Sequence, residues 1–405
     1  MAAVSRHRCA ALRGDEQACS SPLEAEERDV TEPTTAAEPG VPLETNVPGA
    51  AYPRLVDGDL VLRVEAPQAG TVQLAPPGDS FGSEPIALSR DDGGVWTTTI
   101  RSPAPGFHYY YLEIDGLQVN DPNSKAYSGY GRAVSALEIP EPGNDICELA
   151  DVPHGDVRGH WFFATTTGRW RQLWVYTPPG YDDNPEQRYP VLYLQHGSGE
   201  DETSWHRQGR VGIILDNLLA AGTVVPMIVV MGSGYASQPP EPGTPPSAAD
   251  RSRIIDEFAE LLTVDVVPHV DQHYRTVPDR AHRALAGLSM GGRQALAAGL
   301  AHLDTFAWLA GLSPAIWLRT EEYPHWAVDP DWVDTLLAAA GGHRPEHVLL
   351  SAGTAEPRFV EAVGDLERMF DAAGIPHTTY LSPGTGHEWT TWRRSIVELW
   401  PVLFR

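Results

Sequence analysis

Cysteine is scarce in this chain: three in 405 residues, Cys9, Cys19 and Cys147. So low and odd a count argues against a disulfide framework. No Cys/His spacing resembles a zinc site, so no metal is expected. Long apolar runs are also missing. None approaches eighteen residues, and no membrane span is expected. Basic charge is short too, with 29 Lys and Arg against 54 Asp and Glu, a formal net charge of −25. A nucleic-acid partner is therefore not expected, because phosphate binding needs clustered bases. The start, "MAAVSRHRCAALRGDEQ", has bases but no continuous apolar segment, so a secretory signal is not expected. Residues 1–50 lack aromatics altogether. Between Asp15 and Glu44 they carry nine acidic residues against one base, Arg28. Such a segment buries too little apolar surface to offset chain entropy, and it reads as a disordered acidic tail.

The remainder is different. Apolar residues make up 42% of the chain and there are twelve Trp, ample for folded cores. The length suggests two domains, with three as an upper bound. From Tyr52 short alternating segments follow one another: "LVLRVEAP" (60–67), "TVQLAPP", "VWTTTI" and "HYYYLEIDG", separated by turns such as "DDGG" (91–94). Period-two alternation with polar turns predicts a β-sandwich over 51–142. The order of an apolar strand ending in "AP", then "GGVWTTTI", then "PGFHYYYLEIDG" and "NDP" resembles the early-set Ig-like modules that precede many glycan-acting catalytic domains. That resemblance implies a carbohydrate-adjacent accessory module; a plain packing or spacer domain fits the same residues. Residues 143–159 read as a linker.

Residues 160–405 alternate strand and helix. "RQLWVYTPP" (171–179), "YPVLYLQHG" (189–197), "VPMIVVMGSG", "RALAGLS" (283–289), "EHVLLSAG" (346–353) and "HTTYLS" read as strands, several of them near-continuously apolar. "GIILDNLLAAG", "IIDEFAELLTVDVVPHVDQHY" (254–274, broken near Pro268), "GGRQALAAGLAHL", "RFVEAVGDLERMFDAAG" and "TTWRRSIVELWPVLF" read as helices. The alternation predicts a doubly wound, mostly parallel sheet of the α/β class. The Pro-rich stretch 233–251 is expected to rim the crevice at the strand C-termini.

The strongest chemical signal is Gly287-Leu288-Ser289-Met290-Gly291, a G-x-S-x-G set between an apolar strand and a helix. In that context it predicts a nucleophile elbow, with glycines where side chains would collide and Ser289 at the tip. Serine needs a base, and the chain order in such folds is Ser, acid, His. His387 follows the last strand and is the base of choice. Glu356, just past the strand "VLLSAG", is the preferred acid, to fix the imidazole tautomer. Asp365, inside a predicted helix, is its competitor, and Glu388 a third option. An oxyanion hole needs two N–H donors: Met290, and Ser198 with Gly197 as alternate. His196 reads as a structural loop residue. Trp205 and Trp389 are candidates to stack on substrate, whereas Trp317, Trp392, Arg393 and Arg394 read as packing or surface residues.

Together "YPVLYLQHGSGEDETSW", "ILDNLLAAG" with "PMIVVM", "RALAGLSMGG" and "GTGHEWTTWRR" resemble the esterase D / feruloyl esterase family, carbohydrate esterase family 1, over most of residues 160–405. The resemblance implies an α/β-hydrolase fold and a Ser-His-acid triad needing no cofactor. It also implies hydrolysis of carboxylic esters, in many relatives hydroxycinnamoyl or acetyl groups on plant xylans. The family usually has Asp where this chain has Glu356. Acyl transfer to a sugar acceptor and hydrolysis of a siderophore lactone are alternatives within the same fold. A silent glycan-binding protein is the alternative from another class.

Overall fold

The structure, a computed structural model, describes residues 40–75, 84–236, 248–318 and 327–405, excepting the side chains of 248–252. The acidic tail up to residue 39 and the centre of the Pro-rich stretch, 237–247, lie outside these residues.

Two sheets face each other in the N-terminal region. One contains Val41–Pro42, Arg54–Val56, Asp59–Glu65, Val95–Ile100 and Ser89–Arg90. The other contains Tyr127–Gly129, Arg132–Ile139, Gly106–Ile114, Val72–Ala75 and Ile86–Ala87. Leu60, Leu62, Leu74, Tyr110, Leu112 and Leu137 fill the space between them. This is a β-sandwich. It begins earlier than expected. Val41–Pro42 pairs with Arg54–Val56, and Leu43 is buried in the core. Residues 40–50 thus belong to the sandwich, because Leu43 is buried in its core and Asn46, also buried, donates from Nδ2 to Pro53 O at 2.8 Å.

The second region is built on one eight-stranded sheet. In chain order its strands are β1 (Asp156–Ala164), β2 (Arg169–Thr177), β3 (Val191–Gln195), β4 (Ile228–Gly232), β5 (Arg283–Leu288), β6 (Trp308–Leu312), β7 (His347–Gly353) and β8 (His377–Ser382). Their order across the sheet is β1-β2-β4-β3-β5-β6-β7-β8. The β1–β2 and β2–β4 pairs are antiparallel, and every later pair is parallel. β1 starts at Asp156, inside the expected linker, where it pairs with Thr177 at the end of β2.

Among the described residues the longer helices that cover the sheet are α1 (Val211–Ala220), α2 (Ala248–Glu260), α3 (Val267–His273), α4 (Met290–Ala301), α5 (Trp332–Ala339), α6 (Pro357–Ala373) and α7 (Trp389–Leu399). The helix expected over 254–274 is two helices joined by a π-helical turn, Leu261–Val266, and Pro268 sits in the first turn of α3. Proline is accommodated there because the π-helical turn before it already interrupts the regular α-helical hydrogen-bond ladder, with Val267 N–H bonded to Leu262 O. The central strands are apolar throughout because both faces are covered. Leu192, Leu194, Ala284, Ala286 and Leu288 pack with α1 and α7. Val191, Tyr193 and Leu285 pack with α2, α3, α4 and α6.

Residues 40–405 form one compact unit, and the strand Gly106–Ile114 shows how the two regions join. Tyr110 and Leu112 face the sandwich core. Phe107 and Tyr111 face the other way, into the cluster with α1 and α7, and Tyr109 packs against it. Across this junction Arg393 of α7 holds Glu138 by two hydrogen bonds, 2.8 and 2.9 Å, with both side chains buried. Burial alone would push the Glu138 carboxyl up; the charges of Arg393 and Arg210 outweigh it and hold it below its ordinary value. Among the described residues, no helix is long and apolar enough to cross a membrane.

Candidate active site

Ser289 lies between β5 and α4, at the C-terminal edge of the sheet. Its φ of 52° and ψ of −112° are a strained conformation for a residue with a side chain. The surroundings hold it there. Its N–H donates to Leu312 O at 2.8 Å, and its carbonyl accepts from Ala315 N–H at 3.0 Å. The flanking glycines are required by contact. A Cβ on Gly287 would lie 2.5 Å from the Gly291 backbone, and one on Gly291 would lie 2.4 Å from His196 O.

Beyond β8, the loop 383–386 carries His387 back over the sheet edge. Ala355 N–H donates to Thr385 O at 2.9 Å and Gly386 N–H donates to Glu388 Oε1 at 3.1 Å, fixing the loop. The imidazole is clamped by two rings. Phe359 stacks on it with centroids 4.2 Å apart, and Trp392 meets it edge-on at 5.0 Å. His387 Nε2 lies 3.0 Å from Ser289 Oγ, and its Nδ1 lies 2.7 Å from Glu356 Oε2. Glu356 is the residue before α6 and is buried. Its other oxygen accepts from Gly353 N–H at 2.6 Å and from the Ser313 hydroxyl. A carboxylate facing Nδ1 assigns the proton to Nδ1, leaving the Nε2 lone pair toward the serine hydroxyl. Asp365 lies on α6 in an ion pair with Arg368, and Glu388 binds Gly386 N–H.

The loop after β3 faces Ser289. Of the N–H groups of residues 197–200, three are occupied. Gly197 donates to Glu200 Oε2 (3.1 Å), Gly199 to the Tyr235 hydroxyl (2.6 Å), and Glu200 to Gly197 O (3.4 Å). Ser198 N–H has no intramolecular acceptor among the described residues, and Ser198 lines the cleft with Ser289 and His387. Met290 N–H belongs to the first turn of α4, where N–H groups have no intrahelical acceptor. His196 is buried behind the loop. Its Nδ1–H donates to Gly197 O at 2.8 Å and its Nε2 accepts from Gly234 N–H at 3.0 Å. Burial pushes its pKa down, so it stays a neutral brace.

The cleft holds about 580 Å³, counting the part open to solvent. Trp389 and Trp392 line it; Trp205 does not. Trp205 is buried one layer behind, its indole N–H bonded to Gln195 O at 2.9 Å, its ring edge-on to Trp389 at 5.2 Å. Sequence reasoning missed a whole wall of this cleft. Phe107, Tyr109 and Tyr130 come from the β-sandwich, and Glu200 comes from the loop itself. The available signal was the run "HYYYLEI", apolar on both faces of one strand, which a sandwich with one solvated face does not need. Among the described residues no group of three His, Cys, Asp or Glu side chains is placed to hold a metal.

Glu200 is fully enclosed, and burial pushes its carboxyl up to about 7, with Asp201 adding to the rise and the Gly197 and Tyr109 hydrogen bonds opposing it. A carboxyl whose folded pKa exceeds its unfolded value loses stability as pH rises between the two. The wild type is therefore expected to lose thermal stability between pH 5 and pH 8, and Glu200→Gln, which has no group titrating there, to lose less. Melting curves at the two pH values check this.

An eight-stranded mixed sheet with a strand–turn–helix serine at its centre is the architecture of an α/β-hydrolase. The chain belongs to the esterase family: residues 164–401 match the family described as "Putative esterase". It is 36% identical over 372 residues to an endo-1,4-beta-xylanase/feruloyl esterase of Xylanibacter ruminicola, covering 90% of this chain and 47% of that one. The chain spans about half the length of the curated relatives it matches first, 47% and 55%. Its fold is shared with a CE1 ferulic acid esterase of Anaeromyces mucronatus, at 23% identity and a TM-score of 0.57, over 65% of this chain and 96% of that one. It is also shared with the enterobactin esterase of Shigella flexneri, at 20% identity and a TM-score of 0.63, over 87% of this chain and 94% of that one.

Proposed function

We propose that this protein is a serine esterase acting on acyl esters of carbohydrate, feruloyl or other hydroxycinnamoyl groups or acetyl groups, through Ser289, His387 and Glu356. The observation that carries the reading is the unbroken line Glu356–His387–Ser289, at 2.7 and 3.0 Å. Ser289 Oγ attacks the ester carbonyl while His387 Nε2 takes its proton. Glu356 stabilises the imidazolium that forms. The N–H groups of Met290 and Ser198 receive the oxyanion; Gly197 is the weaker alternate because its N–H is already bonded to Glu200. His387 then protonates the departing alcohol. Water, activated by the same imidazole, releases the acid from Ser289. None of these steps calls on a metal or organic cofactor.

The substrate class rests on two supports. The relative at 36% identity is named as a xylanase/feruloyl esterase, and the cleft wall offers the accessible rings of Tyr109 and Tyr130, backed by the buried Phe107, Trp389 and Trp392, a surface suited to an aromatic acyl group or a sugar face. Tyr130, 56% exposed at the cleft, is the substrate-stacking ring of this reading; Trp389, expected from the sequence to stack on substrate, is only 1% exposed and backs the wall as Trp205 does. The N-terminal sandwich reads as an early-set Ig-like module. A siderophore-lactone esterase is the second reading, favoured by a shared fold that extends over both regions of the chain.

A panel of methyl ferulate, acetylated xylan, short aliphatic esters and a catecholate trilactone tests the substrate class. Methyl ferulate or acetylated xylan is expected to be turned over with the highest kcat/KM. The acid is tested by Glu356→Gln, which keeps the size but presents the wrong hydrogen-bonding atoms to Nδ1. It is expected to lower kcat by roughly 10²- to 10⁴-fold with little change in KM. Full activity would return the acid's role to Asp365 or Glu388.

A further inference from the structure

The cleft contains a buried acid that the proton relay does not use. Glu200 sits beneath the loop that faces Ser289, and both of its oxygens are committed. Oε2 accepts Gly197 N–H at 3.1 Å; Oε1 accepts the Tyr109 hydroxyl at 3.1 Å. Tyr109 belongs to the β-sandwich, in the strand Gly106–Ile114.

The direction of the Tyr109–Glu200 bond follows from counting donors. The Tyr109 oxygen receives Trp389 Nε1–H at 3.1 Å and Gln208 Nε2–H at 3.0 Å. Two incoming donors fill its two lone pairs, so its own proton must point outward. Two acceptors are in reach, Glu200 Oε1 and Ser128 O at 3.3 Å. Gln208 already serves Ser128 O at 2.8 Å. The hydroxyl proton therefore goes to Glu200, where the bond is also the shorter. The sandwich braces the same loop a second time, through Gly131 N–H donating to Gly199 O at 2.8 Å. That approach is so close that a Cβ on Gly199 would lie 2.8 Å from Gly131 N.

Resting on the esterase reading above, we propose that Glu200 is a positioning residue for the oxyanion loop, held in place by Tyr109, which makes the β-sandwich a working wall of the active site. By taking Gly197 N–H, Glu200 fixes the His196–Gly197 peptide, next to the peptide that carries Ser198 N–H, the open donor among residues 197–200. Preorganised donors are effective because they need no reorientation as charge develops on the substrate oxygen. The groups that face Glu200 are Gly197 N–H, Tyr109, Trp389 and Asp201. Tyr109 stays protonated, its pKa raised chiefly by burial and further by Glu200, so it remains a donor across the working pH range.

The test uses the full chain and p-nitrophenyl acetate, a substrate with a minimal acyl group. Glu200→Ala is expected to lower kcat roughly 10- to 100-fold with KM held within about twofold, the pattern of lost transition-state stabilisation. Glu200→Gln retains an acceptor for Gly197 N–H and is expected to recover most of that loss. Tyr109→Phe, which keeps ring packing, is expected to lower kcat about 3- to 10-fold, and it decides the matter if Glu200→Ala does not fold. Wild-type kcat in folded Glu200→Ala, or in Tyr109→Phe, overturns the proposal. So does a Gln variant as slow as the Ala variant. Ser289→Ala separates the two claims. If it abolishes wild-type turnover, the esterase reading stands and only the positioning role is at stake; a wild type without turnover overturns both.

Discussion

Ser289→Ala is expected to lower kcat by roughly 10⁴- to 10⁶-fold on any ester the wild type hydrolyses, leaving KM nearly unchanged. The expectation is this large because the proposed mechanism gives nucleophilic attack to a single atom. Ser289 Oγ is the group 3.0 Å from His387 Nε2. The elbow survives the change. Alanine keeps the Cβ and the backbone bonds to Leu312 and Ala315, so stability should shift by less than about 1 kcal/mol. A loss of activity without a loss of fold, measured by steady-state kinetics and by denaturant titration, separates chemistry from folding.

The largest effect on stability is expected at the junction of the two regions. Arg393→Ala leaves Glu138 buried beside Arg210 without its bidentate partner, and breaks the Nε–H bond to Gln208 O at 2.9 Å. Breaking one side of a buried pair costs about 3–5 kcal/mol, whereas replacing both partners by apolar residues of similar size can be nearly neutral. Arg393→Ala is thus expected to unfold at markedly lower urea. The double variant Arg393→Met with Glu138→Leu should regain much of the loss, and the cycle measures their coupling. Arg394, whose side chain and that of its partner Glu141 are each 27% exposed, should matter far less, because partly exposed pairs contribute little.

Much of this architecture is legible in the sequence, and the reason is physical. A parallel strand buried on both faces must be apolar, so "VLYL", "IVV" and "VLLSA" declare themselves. A glycine pattern whose Cβ atoms would strike backbone at 2.4–2.5 Å allows few other residues, so Gly287 and Gly291 mark the elbow. His387 and Glu356 follow from chain order in such a sheet. β6, "WLAGL", is less distinct, because five residues with a glycine at the fourth carry no clear period. Contacts between distant segments have no local signature. Tyr109 and Glu200 lie 91 positions apart and meet only because the sandwich docks beside the β3 loop. Trp205 shows the converse error. An aromatic next to a catalytic loop looks like a substrate platform, yet here its indole N–H is bonded to Gln195 O and the ring supports Trp389 from behind.

The most direct test of the central claim is to trap the acyl-enzyme. Native protein mixed with excess p-nitrophenyl acetate, quenched in acid within the first turnover, is weighed intact and then mapped by peptide mass spectrometry. One acetyl group on Ser289, absent in Ser289→Ala, is the result expected. An acetyl group on a different residue, or undiminished turnover in Ser289→Ala, would contradict the account.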